Sequence, residues 1–438
     1  MSVNRQQLME RAMRLFRSWD LASARTMSLV WVCTRVLLLF IWALFTPESQ
    51  GDVVYYYEHI TAMHERGPAQ TMPEYPTPVL WLLDMCWYLG LGTQVGYVVW
   101  FVLAMLACDA ALYRRLWLTG GRLGSQAAWF WTVFITAIGP TVYLRFDIVT
   151  SVLTGWSLLW LAANRPRTAG GLAGLGAAIK LWPALLWPAL CGTRGRRAAP
   201  TLAFWFSGGV LGVASFVWAG WDRLISPLTW QSGRGLQVES VWATVPMLLR
   251  AFGGGDYTVA VSRYQAFEIF GPHVVNWSVI ASVAMPAGLI GLLIGYLWWL
   301  RGDQQTGFQA AILVIAVVLM MIVTNKTFSP QYMIWLGGPT AAAIALLGLE
   351  NRDSPGYLHR RSRIWMILLM VLAASLATTM VFPIGYDPLV RDSPISGTWR
   401  PVVTIVLAIR NMLICAMTVL VADTVLGFLR APDRTGEG

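Results

Sequence analysis

An acidic side chain stands where the first long apolar segment of this chain ends. Asp52 begins a run that includes Tyr55 and Tyr56, and the same polar stretch closes with Glu74 and Tyr75. A single carboxylate in this place could act as a general base toward a hydroxyl group. It could equally cap an interfacial helix whose tyrosines lie level with lipid headgroups. The two roles are compatible, and the sequence leaves both open.

Charged residues inside the apolar segments form a second set of candidates. Such groups are costly in hydrocarbon and usually face a cavity or a charged partner. Lys180 stands out, because Pro183 and Pro188 interrupt a helix there and free backbone carbonyls. Arg410 and Asp423 are about 20 Å apart along a helix, so each needs a partner elsewhere in the chain. The full set is Arg35, Asp84, Asp109, Arg145, Asp147, Lys180, Arg410 and Asp423.

Two polar runs between apolar segments are also placed to contact a ligand. The run 230–240 contains glycines, which let the backbone approach a ligand closely, although a solvated loop is the alternative. The run 325–332 contains one lysine, which could instead anchor the chain at the lipid interface. Their candidate side chains are Arg234, Gln237, Glu239, Lys326, Gln331 and Tyr332.

Composition excludes a soluble globular protein. Of the 438 residues, 56% are hydrophobic and 12% are charged, which is about half the charged fraction of an ordinary soluble domain. Apolar stretches of roughly 17 to 25 residues recur from end to end, and each could cross a hydrocarbon core of about 30 Å as a helix. The sequence therefore predicts an all-α polytopic membrane protein with about eleven or twelve transmembrane helices. We expect a single integral membrane domain over residues 1–438.

The apolar stretches set the expected positions of these helices. The segment 77–92 is short and carries Asp84, so it either crosses the membrane or only dips into it. The expected spans are 26–46, 77–92, 94–113, 124–140, 145–163, 169–191, 200–220, 277–300, 308–324, 331–349, 363–383 and 402–429.

Basic residues set the expected orientation. The chain has 32 Lys and Arg against 22 Asp and Glu, and cytoplasmic loops of membrane proteins carry the excess of positive charge. The amphipathic basic segment 1–25, the arginines at 194–197 and 360–363, and the tail 430–438 are therefore expected on the cytoplasmic side.

The early topology stays open at this point. With twelve crossings, Arg114, Arg115 and Arg165 fall on the outer side, against the positive-inside rule. If 77–92 is re-entrant, these arginines move inside, and another crossing must exist elsewhere.

Two long connections, 47–76 and 222–276, are expected on the outer side, together with the shorter 325–331 and 384–400. We expect these loops to form the active site, with the catalytic acid in the first. The five cysteines all lie in apolar segments and indicate no disulfide framework. The four histidines form no ligand pair, so no metal site is expected. The chain also lacks a phosphate-binding glycine loop of the P-loop or dinucleotide type.

These runs resemble the polyprenyl-phosphate-mannose-dependent mannosyltransferases of glycosyltransferase family 87, which are actinobacterial enzymes of the GT-C type. The family often has Tyr-Pro-Pro where this chain has Tyr75-Pro76-Thr77-Pro78. The resemblance covers most of the chain and rests on the runs Gly51-Asp52-Val53-Val54-Tyr55-Tyr56, Tyr75-Pro76, Arg145-Phe146-Asp147, Lys180-Leu181-Trp182-Pro183, residues 234–240 and Phe328-Ser329-Pro330-Gln331-Tyr332.

The resemblance implies a reaction and a base. It implies transfer of mannose, usually in α-1,2 linkage, from polyprenyl-phosphate-mannose to a glycolipid such as a phosphatidylinositol mannoside, lipomannan or lipoarabinomannan. The reaction would take place on the periplasmic side of the inner membrane, without a cofactor. Asp52 matches the acid that serves as catalytic base in the family. A glycosyl phosphate already carries a good leaving group, so one carboxylate suffices where glycosidases need two.

Basic and polar residues would complete such a site. Arginine and lysine stabilise the charge that develops on a departing phosphate, and the expected phosphate ligands are, in declining order, Arg234, Lys326, Lys180 and Arg145. Asp147 could orient a sugar hydroxyl or pair with Arg145. The tryptophans of the spans would line a groove for a prenyl chain. The expected sugar and acceptor contacts are Tyr55, Tyr56, Glu74, Tyr75, Asp147, Gln237, Glu239, Gln331 and Tyr332.

Other functions remain as alternatives. The same fold could use another lipid-linked sugar, such as decaprenyl-phospho-arabinofuranose. A transporter or flippase would be expected to show inverted repeats or paired broken helices, and the sequence shows neither. A non-catalytic subunit of an envelope-assembly complex is a third class. We expect lipids as partners and no nucleic acid, while the acceptor and the oligomeric state do not follow from the sequence.

Overall fold

Helices make up nearly all of the described chain in a computed structural model of this protein. The structure describes residues 23–119, 121–302, 305–392 and 394–430. The predicted basic segment 1–25 and the predicted tail 430–438 lie almost entirely outside these residues. The helices are α1 Ala24–Phe45, α2 Gly51–Arg66, α3 Thr77–Leu89, α4 Gln94–Leu118, α5 Gly121–Ile138, α6 Asp147–Ala162, α7 Pro166–Ile179, α8 Ala198–Ser232, α9 Thr244–Ala251, α10 Val274–Trp299, α11 Gly307–Thr324, α12 Ile334–Leu347, α13 Tyr357–Thr379, α14 Tyr386–Val390 and α15 Pro394–Arg430.

Short turns of tighter or wider helix join several of these elements. They are often found where proline lacks the N–H that would continue an α-helix. The 3₁₀ segments are Pro47–Gln50, Pro140–Tyr143, Trp182–Cys191, Arg194–Arg196, Val241–Ala243 and Pro330–Met333, and a π-helical segment spans Met380–Ile384.

Seven of the described helices are long and apolar enough to cross a membrane, namely α1, α4, α8, α10, α11, α13 and α15. The other predicted spans coincide with shorter or interrupted helices, which are α3, α5, α6, α7 with the 3₁₀ segment after it, and α12. Every residue of α12 is buried. A helix that is enclosed by other helices need not match the bilayer thickness, because protein covers its ends. The predicted all-α polytopic architecture is confirmed.

The segment 77–92 begins and ends beside the same helix, α2. Tyr75, just before α3, packs against Tyr56 of α2 with ring centroids 6.0 Å apart. Gly92, just after α3, accepts a hydrogen bond of 3.0 Å from the hydroxyl of Tyr57, the next residue of α2. Both ends of α3 therefore lie beside α2, which supports the alternative in which 77–92 does not cross the membrane.

The segment 169–191 reverses at Lys180 instead of forming one span. Helix α7 ends at Ile179, Lys180 is extended (φ −149°, ψ 131°), and a 3₁₀ helix follows. The Lys180 ammonium contacts Asp147 at the start of α6, whereas Asn164 just after α6 contacts Arg196 beyond the 3₁₀ helix. The predicted helix break is confirmed, and the prediction of a single crossing is wrong because the prolines allow the chain to double back.

The reversal at Lys180 supplies the additional crossing that is needed if 77–92 does not cross the membrane. It also places the arginines of several connections at the same end of the bundle. Arg115 lies 4.2 Å from the ring centroid of Trp160, close to the turn that contains Arg165. Arg194 donates a hydrogen bond of 2.7 Å to the carbonyl of Arg301. We call the end that carries these arginines the basic end. Arg114, Arg115 and Arg165 share it with 194–197, so the topology that separates them is wrong.

The opposite end carries the two long connections, and both contain regular structure. The first includes α2. In the second, α8 continues across a kink at Gly220 (φ 83°, ψ 175°) to Ser232, and a β-hairpin follows, which the sequence did not predict. Strand β1, Thr258–Val261, pairs antiparallel with β2, Phe267–Phe270. We call this end, which carries Asp52, Arg145 and Lys180, the site end.

Charged residues within the helices have partners far away in sequence, as predicted. Arg363 lies 2.7 Å from Asp423, and Arg410 lies 2.7 Å from Glu239. The five cysteines are all free, as their positions in apolar segments predicted.

Candidate functional site

Asp52 lies in the first turn of α2, where the partial positive charge of a helix N-terminus favours a carboxylate. Its Oδ2 is 2.6 Å from Nε of Arg145. The Nε–H of Arg145 is not aligned for a hydrogen bond, so the contact is an ion pair. The Asp52 side chain is 39% exposed and that of Arg145 only 7%. A substrate can therefore reach the carboxylate of Asp52, while the guanidinium of Arg145 stays enclosed. The cap position is held by Gln50, so Asp52 is not the helix cap.

Arg145 is held in the turn between α5 and α6. Its Nη1 donates to the carbonyl of Leu144 at 2.9 Å and to that of Ser49 at 3.5 Å. The guanidinium carbon lies 5.9 Å from the ring centroid of Phe382. These contacts fix the cation against the segment that leads into Asp52.

A second ion pair lies beside the first. Asp147, in the first turn of α6 and almost fully buried, accepts hydrogen bonds from Lys180 Nζ and from Trp335 Nε1 at 2.6 Å. Lys180 also lies 5.2 Å, 5.5 Å and 4.9 Å from the ring centroids of Phe146, Tyr332 and Trp335, within the range of cation–π attraction. Asp147 thus pairs with Lys180, and the alternative pairing with Arg145 is wrong.

Tyrosines and one acid form the wall next to Asp52. The hydroxyl of Tyr55 donates to Glu74 Oε1 at 2.8 Å, and burial, together with Glu74, raises the pKa of Tyr55. The second oxygen of Glu74 is buried and has no hydrogen-bond partner among the described residues. Tyr56 is buried and supports Tyr75, whose ring lies 5.0 Å from that of Phe146. Glu74 therefore keeps one acceptor atom for a hydroxyl group.

Two further cations form a separate group with Gln237 and Glu268. The backbone N–H of Gln237 donates to the carbonyl of Lys326 at 3.1 Å, and its Nε2 donates to Ser329 Oγ at 3.1 Å. Burial lowers the pKa of Lys326, Glu268 opposes this, and the nearby positive charge of Arg234 lowers it further. We call Arg234, Lys326 and Glu268 the second basic group. It holds two cations and one carboxylate.

The structure thus brings most of the predicted residues together in two neighbouring sets. Tyr332 joins the two sets. Its ring contacts Lys180 of the first set, and its N–H donates to the carbonyl of Ser329 at 2.9 Å. Ser329 in turn contacts Gln237 of the second set. Gln331 is half-buried in the 3₁₀ turn between them. The first set contains Asp52, Tyr55, Tyr56, Glu74, Tyr75, Arg145, Asp147, Lys180 and Tyr332, and the second contains Arg234, Gln237 and Lys326.

Glu239 is buried inside the protein, where it pairs with Arg410. Its side chain and that of Arg410 are 0% exposed, and Oε2 is 2.7 Å from Nη1 of Arg410. The backbone carbonyl of Glu239 accepts a second bond from Arg410 Nη2 at 2.6 Å. Burial raises the pKa of Glu239, and Arg410 opposes this. The geometry favours a structural part for Glu239 over the predicted contact with a sugar.

Sequence reasoning missed two aromatic residues of the site. Trp335 holds Asp147, and Tyr386 packs edge-on against Phe382 at 4.9 Å. Tyr386 interacts electrostatically with Glu239 and Asp52, and burial is the largest cause of its raised pKa. Neither residue differs in type from the many aromatic residues near membrane interfaces, so no signal in the sequence could have selected it.

An apolar cleft of about 560 Å³ opens beside the first set. Pro76 and Leu181, the neighbours of Tyr75 and Lys180, are among the residues that line it. A cleft with apolar walls and charged groups at one end fits an amphiphile better than a soluble ligand. Its further walls are Trp187, Phe204, Trp205, Gly208, Gly212, Leu224, Leu289, Leu293 and Tyr296.

Comparison with known proteins gives one match. The sequence model of Glycosyltransferase family 87 matches residues 75–325, more than half of the chain. No curated protein and no solved structure matches this chain. The matched range contains Arg145, Lys180 and Arg234, whereas Asp52 and Tyr332 lie outside it. The chain therefore belongs to glycosyltransferase family 87, a family of membrane glycosyltransferases.

Proposed function

We propose that this protein is an inverting mannosyltransferase of the inner membrane. It would move mannose from polyprenyl-phosphate-mannose to a glycolipid acceptor on the periplasmic side, forming an α-1,2 linkage. Phosphatidylinositol mannoside, lipomannan and lipoarabinomannan are the acceptors that we propose. The observation that carries the proposal is the accessible Asp52 carboxylate, held by an enclosed Arg145 beside an apolar cleft.

The reaction needs one base. An acceptor hydroxyl oxygen attacks the anomeric carbon of the donor while its proton passes to a carboxylate oxygen of Asp52. The bond between the anomeric carbon and the phosphate oxygen breaks, and the phosphate leaves with the electron pair. Attack from the face opposite the leaving group inverts the configuration. The expectation that no metal takes part stays a prediction.

The placement of the cations supports a place for the donor phosphate. In the first set Arg145 pairs with Asp52 and Lys180 with Asp147. In the second basic group the charges of Arg234 and Glu268 both act on Lys326, so two cations lie close together there. A phosphate is attracted to two neighbouring cations of this kind. The proposal therefore keeps Arg234 and Lys326 as the leading phosphate ligands.

The cleft supports a lipid-linked donor. Helix α8 forms one wall from Phe204 to Leu224, and Arg234 follows the end of the same helix. A donor with its phosphate near Arg234 would lay its prenyl chain along α8, and its sugar would lie toward Asp52. A sugar nucleotide has no lipid chain that such an apolar wall could bind.

Transfer of radiolabelled mannose from synthetic polyprenyl-phosphate-mannose by the purified protein tests the proposal. Asp52→Asn should lower the rate by about 10²- to 10⁴-fold, the usual contribution of a general base. Glu58→Gln, an exposed carboxylate on the same helix, is the matched control and should leave the rate unchanged.

The donor is tested in the same assay. Activity with decaprenyl-phospho-arabinofuranose and none with the mannose donor would overturn the sugar assignment and leave the transferase class intact. Movement of lipid-linked sugar across vesicles without a glycosidic product would overturn the transferase proposal itself. Wild-type transfer by Asp52→Asn would remove Asp52 as the base.

A further inference from the structure

We infer that Asp109, deep inside the helical bundle, is a positioning residue for the Asp52–Arg145 pair. The inference rests on the transferase function proposed above. Asp109 lies on α4 and is 0% exposed. It contacts no group of the site directly, so it would act only through other residues.

The Asp109 carboxylate gathers donors from separate parts of the chain. Oδ2 accepts from Arg35 Nε at 2.8 Å and from the Tyr143 hydroxyl at 2.6 Å. Oδ1 accepts from Arg35 Nη2 at 3.0 Å, Trp131 Nε1 at 2.7 Å and Trp31 Nε1 at 3.3 Å.

Two of these donors lead directly to the site. Tyr143 ends the 3₁₀ turn Pro140–Tyr143 and stands two residues before Arg145. Arg35 lies on α1, which runs on into the turn that contains Ser49 and then into Asp52. One carboxylate therefore holds both the segment that carries the base and the segment that carries its cation.

The two segments meet a second time at the site end. Arg145 Nη1 approaches the carbonyl of Ser49 at 3.5 Å, and its Nε is 2.6 Å from Asp52. The contacts form a closed loop that runs from Asp109 through Arg35 and α1 to Asp52, and back through Arg145 and Tyr143. A closed loop resists relative movement because a shift in one segment must break a contact in the other.

The chemistry explains why such a brace is needed. An attacking oxygen must meet the anomeric carbon in a narrow range of positions, and a displacement of about 1 Å can cost about 10²-fold in rate. Asp52 is partly exposed and lies in the first turn of a helix that follows a short connection. Without a fixed Arg145 its carboxylate would have several orientations.

Tyr143→Phe is the smallest change that tests the inference, because it removes one hydroxyl and keeps the ring. We expect kcat to fall by about 10-fold, with the KM for the donor within about twofold of the wild-type value. Tyr97→Phe is the matched control. Tyr97 is a buried tyrosine on α4, the helix that carries Asp109, and its hydroxyl has no hydrogen-bond partner among the described residues. It should keep wild-type kcat.

A double substitution separates positioning from loss of folded protein. If Tyr143 acts through Arg145, Tyr143→Phe should have little further effect in an Arg145→Lys background, because the cation is already displaced. An equal fold loss in both backgrounds would indicate a merely structural role and would overturn the inference.

Hydrogen exchange provides a readout that does not depend on activity. Tyr143→Phe should speed exchange of backbone amides in peptides that cover 46–53 and 140–147, and leave those of α12 unchanged. Unchanged exchange in both site peptides would also overturn the inference. If the wild-type protein transfers no sugar, the proposed function fails, while this result still decides whether the brace exists.

Discussion

The buried pair of Glu239 and Arg410 offers a direct test of whether Glu239 binds sugar or supports the fold. Glu239→Ala removes the carboxylate that contacts Arg410 at 2.7 Å. The guanidinium keeps its bond to the backbone carbonyl of residue 239 at 2.6 Å and its contacts with Asn411. Its positive charge, however, stays buried without a counter-charge.

The magnitude follows from that geometry. Removal of one partner of a fully buried ion pair costs about 3–5 kcal/mol in the free energy of unfolding, because an uncompensated charge remains inside. Because the guanidinium keeps its bonds to neutral acceptors, we expect a loss at the lower end of this range, about 3 kcal/mol. Replacement of both partners, in Glu239→Leu with Arg410→Met, removes the charge as well and should restore most of the stability.

Reversible unfolding in mixed micelles, followed by tryptophan fluorescence, measures these differences. Mannose transfer at saturating donor should fall only in proportion to the folded fraction. The reasoning is refuted if Glu239→Ala unfolds with the wild-type free energy while the KM for donor or acceptor rises several-fold. That result would return Glu239 to the sugar-binding role predicted from the sequence.

Two further predictions concern the donor. Because burial lowers the pKa of Lys326, its ammonium loses its proton at a lower pH than that of an ordinary lysine. Transfer should therefore decline with rising pH before an ordinary lysine would titrate. Lys326→Arg should move this decline to higher pH, and an unmoved decline would remove Lys326 from the phosphate site. Gly212→Leu should fill the cleft, since a Cβ at Gly212 meets nothing within 4 Å. It should raise the KM for a long-chain donor and spare a short-chain donor, while Gly291→Leu, equally unobstructed but outside the cleft, should do neither. An equal change for both donors would contradict the lipid assignment.

Local sequence features predicted the helices but not every path between them. Runs of apolar residues are enough to predict a membrane helix, and the prolines after Lys180 predicted that a helix stops there. A stopped helix can kink or reverse, and the choice depends on contacts such as that of Lys180 with Asp147. The same holds for 77–92, whose return depends on α2, a partner that its own residues do not specify.

In the site, too, residue type was predictable from the sequence, whereas the contacts between residues were not. The position of Asp52 at the end of an apolar segment and that of Arg145 within one predicted both as important, because ionisable groups in hydrocarbon are costly and usually face a cavity or a partner. The run around Glu239 contains glycines and polar residues, which indicated an accessible loop. Its burial depends on Arg410, which is 171 positions away, and Trp335 reaches Asp147 across 188 positions. Contacts between residues so far apart in sequence cannot be predicted from the spacing of residues within a motif.

The non-crossing α3 and the reversal at Lys180 bear on how the chain enters a bilayer during synthesis. The hairpins that form as the chain emerges place arginines at the basic end, among them Arg115 and Arg194, and Arg360 lines a cavity with Ala162 at the same end. An inverted hairpin would have to carry guanidinium groups through hydrocarbon, which costs about 2.5–3.5 kcal/mol for each at the helix centre. Early and late hairpins therefore favour the same orientation independently, and loss of a single arginine should leave the insertion of the whole bundle unchanged.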